Sequence, residues 1–455
     1  MKPSSAFGLV TGLCAALLLA APARAASGVP VDGTSREPRI ALQVNDWTLS
    51  TAALNALLRV VREQKPGVTP SQVMAAAAED RVLGGYARRQ YDDAKLFAGE
   101  RVRFSPQASV EASLVTTLQA AFRDPLAKAM GPAESYIVKR HPLTRERLVA
   151  LLDMGGKLRL DDRLPAAREA KLKDVPLIDG RVGAQSYRVT LYELWERQDV
   201  QGRNALYRFD VGFAMEQARQ LARDRFVLGW VAQNSDLGVD GVEQLRQLVA
   251  DRNRRNALAR LLGSGEDPHY SSPEVERLQR SVEPAAIRDY YNTHKTEFTR
   301  TEKVLARTMR LANEAQARAA SAELAKGARF EDVARRRGAG DGIAKWIDSD
   351  AARRSWIAQL AFAQPPGPAS PPIHEPESET SAQGWIIVKV DRRVTGFHPP
   401  DSETVRFAAS EAIARQRAAA GFLSLRARLL SDARIDVNPN ALGLRAAPKV
   451  LEGGL

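Results

Sequence analysis

Gly384-Trp385-Ile386-Ile387-Val388-Lys389-Val390 is a strongly β-prone run, in which bulky and β-branched side chains follow a glycine without interruption. Working back from it, Val304–Leu311 also reads as a strand, and Trp346-Ile347 as a short additional one. Between them, Asn313 caps an alanine-rich helix that Gly327 ends. Phe330-Glu331-Asp332-Val333-Ala334 begins a short helix ended by Gly338, Ser355–Ala363 is a further helix, and Pro365–Pro372 is a proline-rich loop. The sum is a small α+β domain. Beyond it, Ser402–Leu430 reads as one long helix and Asp436–Leu442 as an extended tail.

Upstream of Lys303 the pattern is helical. Ile40–Val44 alternates like a short strand, Asn45-Asp46 reads as a turn, and Ser50 caps a helix with apolar Leu54, Leu57, Leu58 and Val61. Lys65-Pro66-Gly67 stops that helix, and Ser71–Asp92 and Pro106–Arg123 are further helical stretches. Residues 124–180 show no clear period, with His141-Pro142 and Gly155-Gly156 as breaks. At Thr190-Leu191-Tyr192-Glu193 a Thr-x-x-Glu capping box opens another helix, and Met215–Gln233 and Gly241–Leu262 continue the pattern. Gly263–Ser272 is a loop, and Pro284 suits the first turn of a helix bearing Ile287, Tyr290 and Tyr291. The stretch Ala78–Gly84 echoes Ala222–Gly229, read either as duplication or as chance similarity between alanine–arginine-rich helices.

The C-terminal unit resembles the parvulin-type peptidyl-prolyl isomerase domain, and the chain as a whole resembles exported foldases of the SurA and PrsA kind. Ala286-Ile287-Arg288-Asp289-Tyr290-Tyr291 with Phe298 is similar to the family's lead-in helix, and Lys303–Leu311 to its first strand. Gly327-Ala328-Arg329-Phe330-Glu331-Asp332-Val333-Ala334, then Phe362…Gly367…Ser370…Pro372-Ile373, then Gly384–Val390 follow the family's later motifs in order. Ile435–Leu442 resembles the short tail of SurA-like chains. The resemblance covers about 280–395 closely and 40–280 and 400–445 more loosely.

The departures bear on chemistry. The family's two ring-buried histidines fall at Thr308 and Ile386, and its acid-bearing loop is reduced to Gly338-Ala339-Gly340-Asp341-Gly342, where Asp341 reads as a turn residue. An X-Pro bond isomerises over a barrier of about 18–20 kcal/mol because twisting breaks amide resonance. The reaction needs no cofactor and no nucleophile, only an apolar seat for the proline ring and a hydrogen-bonding network around the amide. The resemblance implies a substrate-binding wall of Met309, Leu360, Phe362 and Trp385, with the polar network largely gone. The glycine-rich loop lacks the Lys-Ser/Thr of a phosphate loop, and Gly263-Ser264-Gly265 is a linker rather than a nucleophile elbow.

Met1–Ala25 has Lys2, an apolar run from Phe7 to Ala21 and an Ala23-Arg24-Ala25 cleavage site, which together read as a signal peptide; the other reading is an uncleaved anchor. The single cysteine, Cys14, lies inside that run, so a lipoprotein signal, disulfide scaffolds, cysteine–zinc sites and CxxC chemistry are excluded. Five scattered histidines argue against a metal site. Net charge is +12; without Lys2 and Arg24, 64 basic against 54 acidic residues leave +10, dispersed and without interleaved aromatics, which argues against nucleic-acid binding.

The expectation is therefore an α+β, mostly α-helical chain: signal 1–25, flexible leader 26–39, helical chaperone-like module 40–300, parvulin-like domain 301–395, and C-terminal helix and tail 396–455. No cofactor, metal or membrane segment after signal removal is expected. The expected function is that of a periplasmic folding factor for unfolded or proline-containing envelope polypeptides, with isomerase activity weak or lost. Two alternatives stay open: a working isomerase with a non-standard pocket, and a non-enzymatic adaptor in an export or polysaccharide apparatus.

Overall fold

The computed structural model describes residues 39–98, 105–131, 134–153, 164–265, 272–376 and 384–443. The signal segment, the leader up to residue 38 and the Gly155-Gly156 break lie outside them. The chain is α+β and mostly helical, and it divides into two units: residues up to Val275 with Arg417 onward, and Glu276–Gln416.

The first unit opens with a hairpin, β1 (Ile40–Val44) and β2 (Trp47–Ser50), turned at Asn45 with φ 51°. Asparagine tolerates this left-handed conformation better than most residues. Ser50 then accepts from the Ala53 amide at 3.1 Å and starts the helix Thr51–Gln64, which buries Leu54, Leu57, Leu58 and Val61. Thr69 and Gln72 form a complete capping box for the helix Pro70–Gln90. Helices Pro106–Ala121 and Arg123–Met130 follow, divided at Phe122.

The aperiodic stretch 124–180 contributes to a three-stranded antiparallel sheet, β3 (Ile137–Arg140), β4 (Pro176–Val182) and β5 (Gln185–Thr190), in that order. Gly183 closes its tight turn at φ 54°. Thr190 caps the short helix Leu191–Glu196, but only half of the expected box forms. The Thr190 hydroxyl accepts from the Glu193 amide at 3.3 Å, while the Glu193 carboxylate pairs with Arg225. Long helices Val211–Asn234 and Gly238–Leu261 complete the unit.

Helices Pro70–Gln90 and Gly238–Leu261 meet at Gly84, where a Cβ would lie 2.4 Å from the Asp251 carbonyl oxygen. On either side of that close approach, two buried carboxylates are held by arginines. Asp251 takes Arg81 at 2.6 Å, and Asp80 takes Arg252 at 2.8 Å and Arg255 at 2.5 Å. Pairing of this kind offsets the desolvation that an isolated buried carboxylate would suffer. The echoing stretches Ala78–Gly84 and Ala222–Gly229 both lie inside long helices. Each ends on a glycine at a tight contact, Gly84 on Asp251 and Gly229 on Val182.

The second unit begins with the helix Pro284–Thr293 and centres on a sheet of β6 (Thr299–Leu311), β7 (Lys345–Asp348), β8 (Ile373–His374) and β9 (Trp385–Phe397), ordered β7-β6-β9-β8 and antiparallel throughout. Helices Glu314–Ala325 and Phe330–Arg336 cover one face, and Ser349–Arg354 and Trp356–Ala363 belong to the other. Glu403–Ser431 is a single helix whose residues are shared between the two units. After it the chain forms β10 (Ile435–Val437), which pairs with β1 through Leu42 and Val437, and Arg426 reaches Glu79 at 2.5 Å. Among the described residues no helix is long and apolar enough to cross a membrane.

Candidate functional site

The register of β6 on β9 decides which side chains share a face. Thr308 lies opposite Val388, Met309 opposite Ile387, Arg310 opposite Ile386 and Leu311 opposite Trp385. Because side chains alternate along a strand, Thr308 and Ile386 point one way and Met309 and Trp385 the other. The packing agrees. Ile386 belongs to a core with Val304, Ala306, Ala361, Val388 and Val390, against which Leu360 and Phe362 of the helix Trp356–Ala363 rest half-buried. Met309 is buried on the opposite face with Leu311, Phe330, Val333 and Ile387, and Trp385 packs against that second core. The expected wall of Met309, Leu360, Phe362 and Trp385 therefore splits across the sheet into two pairs that do not converge.

On the face of Thr308 and Ile386 the polar inventory is short. Ile386 is 1% exposed and Thr308 is half-buried. Arg310 comes from the next outward position and pairs with Glu375 at 2.6 Å. His374, on β8, aligns with Trp385 and meets its ring edge-on at 5.2 Å, so it lies on the other face. Arg393 fixes the end of the helix Trp356–Ala363 by donating to the Phe362 and Gln364 carbonyls, each at 2.6 Å.

The opposite face carries a charge network that sequence reading missed. Arg307 donates to Asp391 at 2.6 Å and to Glu331, linking β6, β9 and the helix Phe330–Arg336. The Glu331 carboxyl is held below the usual range by the backbone amide at its helix start and by Arg307. An arginine within an apolar strand, with acids at 331 and 391, was the available signal, but only the register shows that they meet. The glycine-rich loop is a backbone turn: Gly338, Gly340 and Gly342 all have positive φ, and a Cβ on Gly342 would lie 2.8 Å from Glu331 Cα. Asp341 accepts from the Ile343 amide at 3.0 Å and from Lys345 at 3.1 Å, interactions that lower its pKa and occupy it as a turn residue.

Residues 282–406 match the family model of the PPIC-type PPIASE domain. Residues 282–406 are thus similar to a parvulin-type isomerase domain. Solved structures similar to the chain include the foldase protein PrsA from Streptococcus pneumoniae, at 16% identity over 43% of this chain and 68% of that one, with a TM-score of 0.20. A SurA-like chaperone from Campylobacter jejuni is 15% identical over 51% and 87%, with a TM-score of 0.19. PrsA from Lactococcus lactis is 10% identical over 88% and 96%, with a TM-score of 0.21. No curated protein sequence matches the chain.

Within residues 282–406, the helix Trp356–Ala363 and the strands β6 and β9 thus bring together Thr308, Ile386, Leu360 and Phe362. What they can offer a prolyl peptide is an apolar surface with one hydroxyl and, further out, the Arg310 guanidinium. Among the described residues no group of three or more His, Cys, Asp or Glu side chains is placed to hold a metal ion.

Proposed function

We propose that the protein is an exported folding factor that holds unfolded or extended polypeptides of the cell envelope, and that its parvulin-type domain isomerises prolyl bonds weakly or not at all. The carrying observation is Ile386. This side chain is 1% exposed within the core beside Ala361 and Val388, at the position where the resemblance places a histidine. An aliphatic side chain neither donates nor accepts a hydrogen bond, and Thr308 at the other histidine position supplies a single hydroxyl. His374 sits on the wrong face to substitute. The half-buried Leu360 and Phe362 still offer apolar surface to a polypeptide, so binding without turnover is the reading they favour.

Export rests on the Met1–Ala25 segment, and N-terminal sequencing of the mature protein is expected to start at Ala26. The holding activity is tested by light scattering of a chemically denatured outer-membrane protein diluted into buffer with the full mature chain. Suppressed scattering at equimolar to several-fold excess supports the proposal. Undiminished scattering at that excess contradicts it and favours an adaptor that recognises a folded partner.

A further inference from the structure

We propose that a cleft in the first unit binds an extended, apolar polypeptide segment through an aspartate or glutamate side chain of that segment; this rests on the folding-factor reading and states what the helical module selects. The cavity has a volume of about 1050 Å³. That is at or above the upper end of small-molecule pockets and, at about 3.3 Å per residue, accommodates several residues of extended chain. Helices Thr51–Gln64, Pro106–Ala121, Arg123–Met130 and Val211–Asn234 supply its walls. Val60, Val61, Ala120, Leu126, Met130 and Tyr136 give it an apolar lining.

The rim is where selectivity lies. Arg219 and Arg223 stand one turn apart on the same helix, so their guanidinium groups address the same side. Arg123 joins them across the opening. The lining carboxylates are Glu63, which Arg123 meets at 2.9 Å, and Glu134. Guanidinium groups on the lining thus outnumber carboxylates by three to two, and Arg140 adds another positive charge behind Glu134.

Glu134 reveals what the arginines accept. It sits at φ 51°, in the left-handed region that a non-glycine residue seldom takes. From there its carboxylate lies 2.7 Å from Arg140, 3.2 Å from Arg219 and 3.9 Å from Arg223. Burial opposes its charge, but the Arg219 hydrogen bond and the charges of the three arginines hold its pKa below the ordinary value. The chain therefore already places one carboxylate among these groups. Arg223 lies farthest of the three from Glu134 and also meets the Tyr136 hydroxyl, and its side chain, like that of Arg219, is 41% exposed. A second carboxylate, from the client, completes the pairing of Arg223 while flanking apolar side chains fill the cleft. A basic segment would meet the net positive charge of this lining.

The test is fluorescence anisotropy with the full mature chain and two end-blocked, amidated, leucine- and phenylalanine-rich decapeptides, one with two aspartates and one with asparagines in their place. The aspartate peptide is expected to bind about tenfold more tightly at low salt, a difference of about 1.4 kcal/mol. Arg223→Gln is expected to reduce that preference to about twofold while leaving the asparagine peptide's affinity and the melting temperature unchanged; Arg223→Lys retains most of it. Ala120→Trp, which fills the cleft, weakens both peptides. Equal affinities in the unaltered protein, or a preference that survives Arg223→Gln, overturn this proposal and leave the folding-factor reading standing. An unamidated asparagine peptide that matches the aspartate peptide overturns the side-chain assignment. Failure of either peptide to bind contradicts both readings.

Discussion

Ile386 packs with Ala361, Val388 and Val390 from the start of β9, and its replacement separates packing from chemistry. Ile386→Val removes one methylene from a filled site and is expected to cost about 0.5–1.5 kcal/mol. Ile386→His places a polar ring of similar volume, differently shaped, in the same space without a partner and is expected to cost about 2–5 kcal/mol. Urea denaturation of the two variants checks the ratio, and a stable histidine variant with raised isomerase activity would show that a pocket exists. Asp224 gives a second residue-scale prediction. Burial raises its pKa from 3.8 to about 6, with Gln220 donating at 2.8 Å as the main opposing contact. Between those values the folded chain keeps a proton that the unfolded chain releases, so stability falls as pH rises through that window. Asp224→Asn should therefore raise the melting temperature at pH 8 and leave it nearly unchanged at pH 4; an equal gain at both would refute the assignment.

At the scale of elements, local chemistry carried much of the reading. Ser50, Thr190 and Asn313 all cap the helices expected of them because each hydroxyl or amide oxygen lies three residues before the amide it satisfies. The sheet β3-β4-β5 escaped because its outer strand is four residues long, exposed at Val138, and separated from β4 by 35 residues. Both central strands of the second sheet also run further than expected. β9 continues through Asp391-Arg392-Arg393 and β6 starts at Thr299, because ladder hydrogen bonds there hold polar residues that no apolar period marks. The split of Met309 and Trp385 from Leu360 and Phe362 depended on strand parity, and bulges at Thr301/Lys303 and Leu305/Ala306 reset that parity along the strand. Two glycines test the element packing in opposite directions. Gly84→Ala drives a methyl into the Asp251 backbone and is expected to destabilise by about 1–3 kcal/mol or more. Gly421→Ala, inside Glu403–Ser431 with no neighbour within 4 Å of its Cβ, is expected to stabilise by about 0.5–1 kcal/mol. Denaturant midpoints that shift in the same direction would contradict this contrast.

For the whole molecule, the order of motifs from Pro284 to Val390 was enough to point to the PPIC-type domain whose model matches residues 282–406, since each short motif marks one strand or helix. The cleft of the first unit was not legible, because Val60, Ala120, Met130 and Arg219 come from four separate helices and Tyr136 from the turn before β3, and no spacing connects them. If the proposed function holds, the protein works by holding clients, and prolyl isomerisation is the dispensable part. The direct measurement is the rate of cis–trans isomerisation of a proline tetrapeptide with increasing amounts of the full mature protein, beside an active parvulin as reference. A rate within about twofold of the uncatalysed reaction is expected, since positioned acid–base and hydrogen-bonding groups typically contribute about 10²–10⁴-fold and this face offers only the Thr308 hydroxyl and an Arg310 already paired with Glu375. A rate comparable to the reference would contradict it and establish a working isomerase built without the two histidines.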